Sequence, residues 1–353
     1  MRINFVLIVF IFSRFCWAQD TLKTAKINVD FSGYMDGYYA YDFNNSDQLS
    51  KQAFFYNHNR HNEFNINIAL FRGVITYYNI YAKLSFQAGT YVDDNYSNER
   101  IKNINEAFVG VYIDSAKKHT LEMGIFSSYI GFESAITGTN LTLTRSILAE
   151  NSPYFMTGLK YNYNVSKQWI FSGLITNGWQ RIAKSNNAIP PSYGTQIVFK
   201  PTENSLLNWS TFVGKENYKG AFGMRYFSNL YWDSIWNSKW RTIVGFDFGI
   251  QKRNSTIDNY MNWWSPVVIA QYTISSKWQT AARLEYYQDR NNVIITHSNP
   301  FTTSGYSLNF DYLLNTKAKF RMEARYLDSK EPLFYNNNTN NFSLTTSLSF
   351  EFN

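Results

Sequence analysis

The chain has 353 residues, of which 44% are hydrophobic, 19% aromatic and only 17% charged, with a formal charge of +7. So many Phe, Tyr and Trp in a chain that is polar on average exclude the pattern of a soluble α/β enzyme, and fit a sheet with one apolar and one wet face. The basic excess is mild and spread along the chain, which excludes the clustered footprint of a nucleic-acid binder.

Residues 1–18 read as a separate unit. Arg2 gives a positive start, Ile3 to Phe12 is an apolar run, and Cys16-Trp17-Ala18 places small residues at the −3 and −1 positions of a cleavage site. The run is too short for a spanning helix, which needs about 20 residues. Ser13-Arg14-Phe15, ahead of Cys16, lacks the pattern of a lipid-attachment site. The reading is a cleaved secretory signal peptide over 1–18 and one domain over 19–353. Cleavage removes the only cysteine, so the mature chain has no disulfide. No later stretch approaches 18 apolar residues. An exported chain without a spanning helix enters a membrane only as a closed barrel.

Alternation with period two then runs to the last residue. Val29, Phe31 and Met35 alternate with Asp30, Ser32 and Asp36; Phe64, Ile66, Ile68 and Leu70 with Asn65, Asn67 and Ala69; Leu84 and Phe86 with Lys83, Ser85 and Gln87. Val244, Phe246 and Phe248 oppose Asp247 and Gln251, and Leu284 and Tyr286 oppose Arg283 and Glu285. Phe320, Met322, Ala324 and Tyr326 oppose Lys319, Arg321, Glu323 and Arg325. Four ionisable residues on one strand face are ruinous against a dry core and harmless against water. The last segment, Phe342 to Phe352, alternates throughout. Its eleven residues suit a tilted strand crossing a bilayer, which takes about 9 to 11.

The spacing predicts an all-β transmembrane antiparallel barrel of about sixteen strands (14–18, the stretch 206–239 being least regular). They fall near 27–44, 63–75, 78–91, 104–113, 119–126, 154–165, 169–177, 193–200, 206–214, 219–232, 240–252, 264–274, 278–289, 304–313, 318–328 and 342–352. Connections alternate short and long, with one tight member at 215–218, as short turns on one rim and loops on the other require. Trp169, Trp209, Trp232, Trp236, Trp240, Trp263, Trp264 and Trp278 fall at predicted strand ends or beside turns, where a membrane interface favours them.

Between 133 and 216 stand Glu133, Asn140, Arg145-Ser146, Pro153, Gly158, Asn177-Gly178-Trp179-Gln180, Asn186-Asn187, Lys200-Pro201 and Gly214-Lys215-Glu216. In this order and spacing they resemble the OmpL-like β-barrel porin family of Gram-negative outer membranes. The resemblance implies a pore through the outer membrane and leaves its solute open. The aromatic end at Phe352 resembles the signal by which such barrels meet their assembly machinery, and many porins form homo-oligomers, although no interface is legible here.

By analogy with general porins, the longest loop, 127–153, would fold inward. It carries Glu133, Arg145 and Glu150, and Arg283, Lys319, Arg321 and Arg325 sit on predicted inward faces. One reading is an eyelet in which opposed acidic and basic walls select small hydrophilic solutes by charge, with a weak anion preference. The plainer reading is salt bridges that stiffen the wall. Asp93-Asp94-Asn95 through Glu99 is acidic but lacks the glycine and spacing of an EF-hand loop. His58, His61, His119 and His297 form no metal or catalytic spacing, and no cofactor is implied. The rival functions are a structural or adhesive barrel whose loops block the lumen, and an outer-membrane hydrolase, which would need a Ser/His arrangement at the rim.

Overall fold

The computed structural model describes residues 27–44, 47–184, 189–254 and 259–353. The signal-peptide segment 1–18 and Asn186-Asn187 lie outside them. Sixteen strands are present among the described residues. The first half comprises β1 (Asn28–Asp42), β2 (Phe64–Tyr77), β3 (Ile80–Ala88), β4 (Ile104–Tyr112), β5 (His119–Ser127), β6 (Phe155–Asn164), β7 (Trp169–Thr176) and β8 (Ser192–Thr202). The second half comprises β9 (Ser205–Tyr218), β10 (Ala221–Ile235), β11 (Trp240–Lys252), β12 (Tyr260–Thr273), β13 (Trp278–Asp289), β14 (Phe301–Leu313), β15 (Ala318–Asp328) and β16 (Asn340–Phe352). Each pairs antiparallel with its chain neighbours, and β1 pairs with β16, so the sheet closes without a free edge.

The two faces follow the sequence alternation. On β15, Phe320, Met322 and Tyr326 are exposed while Arg321, Glu323 and Arg325 are buried; on β16, Leu348, Phe350 and Phe352 are exposed while Ser343, Thr345, Ser347 and Ser349 are buried. A soluble protein would reverse this. Apolar outside and ionic inside is the arrangement hydrocarbon requires. Several outward indoles have their N–H satisfied within the wall. Trp209 Nε1 donates to Ser228 Oγ at 2.9 Å, Trp232 Nε1 to Ser205 Oγ at 2.8 Å and Trp236 Nε1 to Thr242 Oγ1 at 2.7 Å.

Four local features depart from the simple period. In β2, Asp36 pairs with Ile68 but Gly37 with Ile66, so Asn67 is an extra residue. The bulge turns Ile68 and Leu70 inward, although continuous alternation would put them on the lipid face with Phe64 and Ile66. Trp263 also points inward and is fully buried, stacked on Phe227, because neighbours on a strand take opposite faces and Trp264 takes the outer one. The β9–β10 connection is Lys219-Gly220, not 215–218; both residues have positive φ (49° and 88°), as a two-residue hairpin turn demands. β3 stops at Ala88 because Gly89 (φ 129°) turns the chain into the short helix α1 (Thr90–Asn95). A side chain at Gly89 would collide with the Asn67 carbonyl oxygen.

The long loops do not all stand out from the rim. Loop 43–63 brings Phe54 and Phe55 inward, where they pack with Ile147, Phe301, Leu327 and Phe334. Val293, Ile295 and Leu333 from the loops after β13 and β15 join this cluster, as do the inward side chains of Phe212, Phe227, Met261 and Tyr287. Near the long-loop rim the lumen therefore holds an apolar core.

Candidate functional site: the inward-folded loop

The segment 128–154 crosses the lumen and is fixed at both ends of its path. It has little secondary structure, only a turn at Thr137–Thr139 and the short helix α2 (Ile147–Glu150), so its buried backbone groups must find partners elsewhere. At its start they come from β8 to β10. Tyr129 O accepts from Gln196 Nε2 (3.0 Å) and Ser210 Oγ (2.9 Å), Tyr129 Oη donates to Thr211 O (2.7 Å), and the Gly131 amide donates to Asn229 Oδ1 (3.1 Å).

Farther on, the partners are charged side chains of β13 to β15. Arg321 Nη1 donates to Thr137 O (2.7 Å), Lys319 Nζ to Gly138 O (2.6 Å), Arg283 Nη1 to Thr144 O (2.6 Å) and Arg325 Nη1 to Arg145 O (3.0 Å). In return the Thr144 amide donates to Glu323 Oε2 (2.6 Å), the Ile147 amide to Glu285 Oε2 (2.7 Å) and the Leu143 amide to Asn309 Oδ1 (3.0 Å). The same side chains neutralise one another: Arg283 with Glu323 (2.8 Å), Arg325 with Glu285 (2.6 Å), and Arg321 with Asp311 (2.8 Å). Charge-assisted hydrogen bonds are the strong ones, and here every arginine serves a carboxylate and a backbone carbonyl together.

The seven residues singled out from the sequence therefore divide. Arg283, Arg321 and Arg325 are buried beneath the loop, and Lys319 reaches it from below. Glu133 meets this wall, with Oε1 at 3.9 Å from Arg283 Nη1 and Oε2 accepting from the Ser146 amide and hydroxyl. Burial raises the Glu133 carboxyl above its ordinary range, against the opposing pull of Arg283. Glu150 faces the other way and ties the two inward loops together, accepting from the Tyr56 amide (2.9 Å), Asn57 Nδ2 (3.3 Å) and Tyr154 Oη (2.6 Å). Arg145 lies over the Tyr154 ring, 3.7 Å from its centroid. Glu133 and Arg145 line a cavity of about 250 Å³ beside the loop, closed by Tyr91, Asn105, Ser127 and Tyr231. Of the two loop carboxylates, Glu133 is thus in contact with the basic wall and Glu150 is turned to the other inward loop.

Sequence reasoning missed a second charged stretch on β2 to β6. Glu106 binds Lys83 (2.6 Å) and lies 3.6 Å from Arg72, while Glu122 binds Lys160 (2.6 Å) and accepts from Tyr81 Oη (2.7 Å). Its cations keep about a quarter of their side chains accessible. Inward parity combined with strand neighbourhood could have found it. The acidic run after Gly89 is spent on loop contacts: Asp94 with Arg60, Asp93 with Lys102, and Glu99 accepting the Ile182 amide. The histidines bind elsewhere: His58 to Asp36, His119 to Tyr161 Oη, and the Nδ1 atoms of His61 and His297 to backbone amides. Among these bonds none reaches a serine hydroxyl.

A closed sixteen-strand barrel, apolar outside, with its longest loop crossing the lumen, defines an outer-membrane porin. The model of the family described as "Putative beta-barrel porin-2, OmpL-like" matches residues 28–352, and the chain belongs to that family. It thus forms a water-filled outer-membrane barrel through which small hydrophilic solutes diffuse passively. Solved structures of the same fold include an anion-selective porin from Comamonas acidovorans (TM-score 0.62, 8% identity, covering 93% of this chain and 100% of that one). The outer-membrane channel DcaP of Acinetobacter baumannii is similar too (0.63, 10%, 92% and 97%), as is OmpF of Salmonella typhi, solved with daunomycin (0.62, 10%, 92% and 97%). No curated protein matches the sequence.

Proposed function

We propose that solutes entering this barrel are selected beside the inward loop, at a constriction whose charged lining is Glu133 and Arg145. Arg283, Lys319, Arg321, Arg325 and Glu150 act as the latch that holds the loop there, and are not themselves in the solute path. The observation that carries this division is the loop backbone between 137 and 147, bound by wall side chains at Thr137, Gly138, Leu143, Thr144 and Ile147, while Glu133 and Arg145 line open space. The cationic excess on the β2–β6 wall, three basic groups to two carboxylates, supports a weak anion preference. So does the fold shared with the Comamonas porin, which is described as anion-selective.

On this reading the protein is a channel and not a hydrolase, its histidines being taken up by structural partners. Residues 1–18 direct export and are cleaved, 19–353 make the single barrel domain, and the aromatic end of β16 engages the assembly machinery. Association of copies in the membrane accompanies the fold. Planar-bilayer recording with purified mature protein tests the channel. Discrete conductance steps and an anion-favouring reversal potential in a KCl gradient are expected; silence, or hydrolysis of a lipid or peptide, would overturn the reading.

A further inference from the structure

We propose that the cavity beside the loop is a saturable binding site for a small hydroxy or amino acid, its carboxylate seated on Arg145. The proposal rests on the porin reading and names the solute class for that same constriction.

Arg145 differs from the other arginines the loop meets. Arg283, Arg321 and Arg325 each hold a carboxylate. Arg145 is only 3% exposed, yet no carboxylate among the described residues lies within ion-pair distance, and its Nε and Nη1 have no hydrogen-bond partner. A guanidinium cannot shed its proton, so a buried one without an anion is a standing cost. Its position is nevertheless set from three sides. The Tyr154 ring lies against one face, Arg325 binds its carbonyl, and the next residue, Ser146, caps α2 by accepting from the Ala149 amide. A cation fixed that firmly with free donors is a preorganised anion site.

The geometry narrows the anion. Nε and Nη2 make the planar side-on fork, the pair that Arg321 turns on Asp311, and such a fork matches two coplanar oxygens, hence a carboxylate. Glu133 shares the cavity, and its Oε1 also lacks a hydrogen-bond partner. A carboxylate so near disfavours multiply charged anions such as phosphate and offers an acceptor to a solute that carries a hydroxyl or ammonium group. The cavity of about 250 Å³ has room for roughly eight waters, enough for a few heavy atoms beyond the carboxylate. Tyr91 and Tyr231 supply flat walls. The ligand chemistry is therefore one carboxylate, one donor and a short carbon frame.

The test is current block in planar bilayers with the full mature protein, titrating lactate and L-serine against glycerol and inorganic phosphate. Saturable block by lactate and L-serine, with glycerol and phosphate inert, is expected. Arg145→Met should weaken that block by about tenfold or more, the loss typical of a charge-assisted pair. Arg145→Lys, with charge but no fork, should fall between. Heat-modifiable migration on gels shows whether each variant is a folded barrel. KCl conductance without saturable block in the unmodified protein would overturn the site and spare the porin. Block unchanged in Arg145→Met, or stronger for phosphate than for lactate, would overturn the seat or the ligand class. Absence of KCl conductance altogether would instead overturn the porin reading.

Discussion

The β13–β15 wall and the β2–β6 wall carry the same residue types and use them in opposite ways. On the first, Arg283 and Arg321 are fully buried and divide their donors between carboxylates and loop carbonyls. On the second, Lys83, Lys160 and Arg72 pair with Glu106 and Glu122 but remain partly wet. What separates them is the loop lying on one and not the other. A lumenal charge under a loop is a structural element, expensive to disturb and invisible to passing ions. A lumenal charge facing water contributes little to stability, since exposed pairs are worth about 0–1 kcal/mol, but its field reaches the solute. Parity on the strand is the same for both; the covering decides the role.

The sharpest way to break this comparison is Arg283→Met. It leaves Glu323, Glu285 and Glu133 without their shared cation, and unpairing a buried cluster costs about 3–5 kcal/mol. We expect loss of heat resistance in gel shift and larger, noisier conductance steps as the loop detaches. Unchanged conductance and melting would show that the loop is held by other means. Phe54→Ala comes next. Phe54 packs on Phe55, Phe301 and Phe334 inside the rim, and removing a buried ring costs about 3–5 kcal/mol in a well-packed core. The outcome to measure is faster cleavage of loop 43–63 by added protease, with the barrel itself intact.

A neutralising pair contrasts the walls directly. Lys83→Gln with Lys160→Gln should move the reversal potential toward cation preference by a fraction of the ~59 mV that a tenfold gradient gives for a monovalent ion, with little change in stability. Lys319→Gln should move it less, since that ammonium is turned to the Gly138 carbonyl. Equal shifts would erase the distinction.

Legibility in the sequence follows the same division. Barrel closure, strand number and the direction of Arg321 or Phe350 were readable because period two assigns every second residue to one face. What each face touches at a given height was not. Phe227, Met261 and Trp263 share parity with polar neighbours and look like girdle or lipid residues until the loops are seen packing on them. The Asn67 bulge reversed Ile68 and Leu70, and the glycine at the register shift, Gly37, stands on the partner strand β1, far from Asn67 in the sequence. For the site, the seven residues were identifiable as charges on the longest loop and on inward strand positions. Their partners are largely loop carbonyls and amides, and an aperiodic segment leaves no pattern from which those pairings could be read.

The smallest effect concerns where the first loop meets the dry wall. Lys51 is fully buried and donates to Thr345 Oγ1 at 3.2 Å. Burial, reinforced by Arg325, pushes its ammonium down from 10.5 to about 8, against Asp42, Glu323 and Glu150, which pull the other way. A lowered folded-state value means the unfolded chain binds the proton more tightly, so stability must rise with pH between about 8 and 10.5. Below that window both states are charged and the full penalty stands, at most roughly 3 kcal/mol. Lys51→Met removes the titrating group while keeping the stem. Its stability relative to the unmodified protein, by urea unfolding in detergent, should therefore be greatest below pH 8 and decline as pH rises to 10.5. A difference that is flat with pH would mean the loop carries this lysine out to water, and the dry seam between loop and wall would not extend to Lys51.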